Sequence, residues 1–155
     1  MVVGGVAMAA YGSTRTTHDT DLLVDDQRRR ELFGAVGERG FRVLFDCDGF
    51  TNLRHADPEI GDVDFLWADA ATSTAVFGAA LEVRGPDGLP LLVASAEHLI
   101  AMKVRAIKNK PIRVLRDAED IRLLLSLPKT DQNAAREAFV RVGMPELYTR
   151  LKTTP

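Results

Sequence analysis

Cysteine occurs once in the 155 residues, at Cys47, and aromatic side chains make up only 6% of the chain. A single cysteine excludes a disulfide framework and any multi-cysteine zinc site, and it fits a reducing, cytoplasmic compartment. Cys47 lies in an acidic turn between Asp46 and Asp48, with no cationic neighbour in sequence to activate it, so it is read as incidental. Three histidines are too sparse for the clustered ligands of an HD-type phosphohydrolase, which His18-Asp19 would otherwise suggest. His55 is expected in a loop and His98 on a helix surface. No apolar run approaches the ~20 residues a membrane span needs. The N-terminus also lacks the basic-then-apolar layout of a secretion signal. What is present, 46% hydrophobic and 27% charged residues, is ordinary for a soluble globular domain and excludes disorder and low complexity.

The net charge of −2 conceals an asymmetry. Residues 1–102 hold 8 basic and 16 acidic side chains, whereas residues 103–155 hold 12 basic and 6 acidic. Six of those cations, from Lys103 to Arg116, fall within fourteen residues that contain no acid. Solvated helix faces account for both charge sets, and so does a metal site facing a phosphate-bearing partner.

Hydrophobic periodicity and turn residues give a coarse map. Val2-Val3 reads as a very short strand ending in the Gly4-Gly5 turn, and Val6 to Tyr11 as a short helix closed by Gly12. A strand of that length is too brief to sit securely in a sheet, so either a preceding segment is absent or the first strand is unusually short. Further strands are expected at 21–24, 41–45, 50–54 and 63–67, with short β segments flanking Pro86-Asp87-Gly88. Helices are expected at 27–39, from the Ser95 cap to about 107, and near 113–127, 131–142 and 145–152. Strands mixed with helices early and helices alone later indicate an α/β (α+β) fold. There are no repeats and no linker, which predicts one domain over 1–155, with a sheet-bearing core at about 1–94 and a helical part at about 95–155.

Asp19-Thr20-Asp21 is the first chemical signal. On an extended backbone, residues i and i+2 face the same way with Cα atoms roughly 6–7 Å apart. Two such carboxylates can converge on a hard cation, or on a pair about 3.5–4 Å apart. Asp62 and Asp64 share a facing on a later strand and either could supply a third carboxylate, if that strand lies about 4.8 Å away as a neighbour. The diglycine ahead of a helix would let a backbone approach phosphate closely, and Arg15 adds a cation. A diglycine turn, an arginine and a strand-borne D-x-D together make a triphosphate-and-magnesium arrangement.

The helices add a second signal. Ala96, Leu99, Ile100, Val104 and Ile107 form one apolar arc, and Lys103 falls inside it. On the next helix, Asp117 lies within the apolar stripe and Asp120 at its margin. Inward charges need either each other or a ligand. The alternatives are a buried ion pair, or a lysine reaching nucleotide phosphates while Asp117 or Asp120 orients it.

Taken together, these residues resemble the nucleotidyltransferase superfamily (the DNA polymerase β-like fold). The likeness is to its minimal bacterial branch of AbiEii/MenT-type toxins, and it covers roughly residues 2–125. The opening VVGGVAMAAYGSTRTTHDTDLLV, the segment Asp64-Phe65-Leu66, and SAEHLIAMK followed by RDAEDI carry the resemblance. It implies a nucleotidyltransferase-like mixed β-sheet flanked by helices, with a helical C-terminal part. It further implies Asp19, Asp21 and Asp64 as ligands of two magnesium ions, with Asp64 also placed as a base toward an acceptor hydroxyl. Gly4 and Gly5 would cradle the triphosphate of ATP or another NTP, and Arg15 and Lys103 would neutralise it, with Asp117 and Asp120 at the nucleotide. Gly5 stands where many members have serine, so that side-chain contact to phosphate is missing.

The expected activity is transfer of a nucleoside monophosphate from an NTP to an acceptor hydroxyl or phosphate. RNA or a tRNA end is one acceptor, suggested by the basic 103–116 segment, and a toxin of this kind would have a cognate antitoxin. A small-molecule nucleotidyltransferase like the lincosamide-modifying enzymes, or an inactive binding module retaining the fold, are the alternatives.

Overall fold

Backbone pairing begins at the first residues, although they form no regular strand. Residues 1–85 and 87–153 are described by the computed structural model, so Pro86 of the expected turn lies outside them. The chain divides into two compact units, Met1–Ala10 with Thr14–Ala94, and Tyr11–Ser13 with the chain from Ser95 onward.

In the first unit, a four-stranded mixed sheet has the order β1-β4-β3-β2. The strands are β1 (Asp19–Asp25), β2 (Phe41–Asp46), β3 (Phe50–His55) and β4 (Asp62–Ala68). β1 runs parallel to β4, while β2, β3 and β4 pair antiparallel. A hairpin, β5 (Leu81–Arg84) with β6 (Pro90–Val93), follows. Val2 joins the two β systems through isolated bridges to Leu22 and Val93, with Val2 N donating to Leu92 O at 2.7 Å and Ala94 N donating to Val2 O at 3.1 Å. The expected Val2-Val3 strand is thus replaced by single bridges whose backbone is satisfied on both sides.

Alternation sorts the sheet into two faces. One presents Val63, Phe65 and Trp67 from β4 and Thr51 and Leu53 from β3. Helix α2 (Arg29–Gly37) covers it, placing Phe33 edge-on to Trp67 at 5.7 Å and the Arg29 guanidinium 4.7 Å from that ring. The opposite face carries Asp19, Asp21, Asp62 and Asp64 at one end and the buried Leu23 and Ala68 at the other.

Several expected boundaries move. Helix α1 (Gly4–Ala7) starts on the diglycine itself and tightens into a 3₁₀ turn over Met8–Tyr11, so Gly4-Gly5 is its first turn and not a connector. The helix expected over 27–39 becomes a 3₁₀ turn at Asp26–Arg28 followed by α2. Helix α3 (Ala70–Gly78) was not expected; the Asp69 carboxylate caps it by accepting from Thr72 N at 2.7 Å. His55 ends β3 instead of lying in a loop, with Nε2 2.8 Å from the Arg39 carbonyl. His98 is half-buried beside the Ser95 hydroxyl at 3.0 Å, not on a free helix surface.

The second unit consists of α4 (Ala96–Asn109), α5 (Val114–Ser126), α6 (Gln132–Arg141) and α7 (Pro145–Thr153). Ile100, Val104, Ile121, Leu124 and Phe139 are fully buried among them. The Ser95 hydroxyl caps α4, and the Asp131 carboxylate caps α6 by accepting from Asn133 N and Ala134 N. Among the described residues, no helix is long and apolar enough to cross a membrane.

Candidate functional site

The parallel register of β1 and β4 sets Asp19 opposite Asp62 and Asp21 opposite Asp64. Asp19, Asp21 and Asp64 each bring a carboxylate oxygen within 4.8 Å of the others. Asp62 does not join them. Its carboxylate is gripped at both oxygens by the Arg54 guanidinium, at 2.9 and 2.7 Å. That hydrogen bonding holds the exposed Asp62 carboxyl below the usual carboxylate range. Sequence spacing treats Asp62 and Asp64 alike, and the cross-strand arginine separates them.

Two neighbours orient the cluster. Asn52, opposite Asp64 on β3, donates Nδ2 to Asp64 Oδ1 at 2.7 Å. Thr17 donates its hydroxyl to Asp19 Oδ1 at 2.6 Å. Neither was a candidate from the sequence; the alternation of β3 with a polar residue at Asn52 was the available signal.

The diglycine touches the same cluster. Gly4 has φ +63°, and a Cβ there would overlap the Asp21 carboxylate. At Gly5, a Cβ would lie 2.8 Å from Thr17 Oγ1 and 3.3 Å from Arg15 Nη2. Both glycines therefore make room for polar groups of the site: the first for a carboxylate, the second for the threonine and arginine beside it. Gly4→Ala is expected to displace Asp21, lowering the melting temperature by several degrees. Calorimetry should then show magnesium-dependent nucleotide binding weakened about tenfold, by analogy with the loss of a supporting contact at a metal site.

Three carboxylates in such proximity form an all-oxygen donor set, which suits a hard divalent cation such as magnesium. A cleft of about 770 Å³ opens at the Asp19 end of the cluster, lined by Thr17, Asp19, Arg42, Arg54 and Asp62 among others.

The remaining candidates belong to the helical unit. Lys103 is buried, with Nζ 2.6 Å from Asp120 Oδ2 and 3.4 Å from Asp117 Oδ1. Arg113 Nε adds a contact to Asp117 Oδ2 at 2.8 Å. The inward lysine and both inward aspartates thus satisfy one another.

No protein-family model and no curated protein matches the chain. Solved structures do. The crystal structure of ANT(2")-Ia in complex with adenylyl-2"-tobramycin aligns with a TM-score of 0.58 and 21% identity, over 98% of this chain and 86% of that one. The lincomycin-bound lincosamide adenylyltransferase LnuA gives 0.53 and 15%, over 81% and 84%. An antigenic nucleotidyltransferase-like protein from Paracoccidioides brasiliensis gives 0.55 and 17%, over 99% and 84%. These likenesses establish a mixed α/β fold of the nucleotidyltransferase type.

Proposed function

We propose that the chain is a magnesium-dependent nucleotidyltransferase that moves a nucleoside monophosphate from an NTP to an acceptor hydroxyl. The convergence of Asp19, Asp21 and Asp64 from two parallel strands beside the diglycine, on this fold, carries the reading. Asp19, Asp21 and Asp64 would hold the magnesium ions, which when bound supply positive charge to the triphosphate. Asn52 donates to Asp64 Oδ1 and so fixes the orientation of the carboxylate that would face the metal and the acceptor. In the reaction the acceptor oxygen bonds to the α-phosphorus, and the bond from that phosphorus to the pyrophosphate oxygen breaks. Pyrophosphate leaves with the electron pair, and the hydroxyl proton passes to Asp64. Arg15, beside Gly5, contributes a cation for phosphate. Lys103 is assigned to neutralising Asp117 and Asp120 within the helical unit, because its amine is already shared between them.

Two acceptor classes divide the reading. Small molecules are favoured by the tobramycin and lincomycin complexes of proteins with similar folds. RNA, as in toxin-type members with a cognate antitoxin, is favoured by the basic 103–116 segment. The test is incubation with each α-labelled NTP, magnesium and, separately, total cellular RNA, an aminoglycoside and a lincosamide. Label entering one acceptor with release of pyrophosphate supports the transferase reading. No labelled acceptor, together with no magnesium-dependent NTP binding by calorimetry, moves the chain to an inactive binding module.

A further inference from the structure

We infer that the carboxylate-bearing face of the sheet continues across β3 and β2 into an acceptor subsite for the 3′ end of a single-stranded nucleic acid. The terminal base would stack on Phe45 and Phe50, and the adjacent phosphate would bind Arg42. This inference rests on the transferase reading above and names its acceptor.

The platform follows from register. Asp64 stands opposite Asn52, and Asn52 stands opposite Phe45. Neighbouring strands are about 4.8 Å apart, which sets Phe45 roughly 10 Å from the third carboxylate on the same face. Phe50, two residues before Asn52, shares that face, and its ring stacks on Phe45 with centroids 5.2 Å apart and planes at 27°.

A bulge produces this arrangement. Pairing runs Val43 with Leu53, then Phe45 with Asn52, so Leu44 is the extra residue. In an unbulged ladder Phe45 would oppose Thr51 and point to the face that α2 covers. The inserted residue re-aims the ring onto the carboxylate face, and bulges beside active sites commonly have this effect. Core formation does not explain the result, because Phe45 and Phe50 remain 50% and 42% exposed.

The same face also carries a cation. Arg42 opposes Arg54 in the β2–β3 ladder. Like charges directly opposite are destabilising unless neutralised. Asp62 neutralises Arg54, whereas Arg42 has no ion-pair partner among the described residues and lines the cleft that holds Asp19. A flat apolar surface on the same face of the sheet as an arginine matches a nucleotide, whose base stacks without regard to sequence while its phosphate takes the cation. A polycationic aminosugar would instead meet Arg42 with like charge. In the bound state the 3′ hydroxyl oxygen bonds to the α-phosphorus of the NTP, its proton passes to Asp64, and pyrophosphate departs.

The test measures binding without catalysis. A fluorescein-labelled single-stranded RNA 12-mer with a free 3′ hydroxyl is titrated by polarisation against the wild type, Phe45→Leu, Phe45→Trp and Arg42→Gln, while calorimetry follows magnesium-ATP. Phe45→Leu keeps apolar bulk but loses the flat ring. It should bind the RNA roughly tenfold or more weakly, with Phe45→Trp retaining affinity. Arg42→Gln should lower the salt dependence by the equivalent of about one phosphate contact. Nucleotide binding should be unchanged in all three. Equal RNA affinity for Phe45→Leu and wild type, no RNA binding by the wild type, or parallel loss of nucleotide binding in Phe45→Leu would each overturn the subsite. Absence of magnesium-ATP binding in the wild type counts against the transferase reading alone, because the RNA titrations report on the platform separately.

Discussion

Asp21→Ala is expected to reduce nucleotidyl transfer by on the order of 10³-fold or more, the range seen when groups stabilising a transferred phosphoryl charge are removed. Its melting temperature should be unchanged or higher. The reason is electrostatic: Asp19, Asp21 and Asp64 hold carboxylate oxygens within 4.8 Å of one another, so in metal-free protein each destabilises the others. Removing one relieves that repulsion and removes one donor from the cation site. Asp21 is only half-buried, so truncation opens little core volume. Transfer assays and thermal melts on the same preparations check both halves. Marked unfolding of Asp21→Ala, or full activity, would identify the residue as structural.

The second large effect lies in the helical unit and is opposite in kind. Lys103→Ala leaves Asp117 and Asp120 facing each other with much less compensating charge, and these carboxylates are 0% and 4% exposed. Breaking a buried pair by removing one partner costs about 3–5 kcal/mol. For a chain of this size that corresponds to roughly 10 °C of melting temperature. Arg113 keeps its 2.8 Å contact to Asp117, and the variant loses the 2.6 Å contact between Lys103 and Asp120. Urea unfolding of wild type and variant, alongside nucleotide titration, checks this. A variant that melts like the wild type but binds nucleotide weakly would place Lys103 at the phosphates and contradict the ion-pair assignment.

The sequence made some of this legible and hid the rest for identifiable reasons. Alternation within D-T-D-L-L-V was enough to put Asp19 and Asp21 on one side of a strand, which the structure extends over Asp19–Asp25. Helical periodicity likewise turned Lys103, Asp117 and Asp120 inward, where they are buried. Asp64 could not be separated from Asp62, because the separation depends on Arg54, eight residues away along the chain and opposite Asp62 in the ladder. The partners of Asn52 and Thr17 were hidden for the same reason, being set by strand register and by a loop approach, although a polar residue within the alternation of β3 was a signal at Asn52. The Leu44 bulge breaks the period-two rule within β2, so Phe45 faces the side that simple alternation denies it. Helix α3 was missed because its nine residues carry little amphipathic pattern, and only the Asp69 cap announces it.

The most direct test places a reporter cation in the site. Crystals grown with manganese and a non-hydrolysable NTP should show anomalous density among the carboxylates of Asp19, Asp21 and Asp64, with the triphosphate on the Gly4-Gly5 and Arg15 side. Manganese held elsewhere, or density for nucleotide away from these carboxylates, would contradict the assignment of this cluster as the catalytic centre.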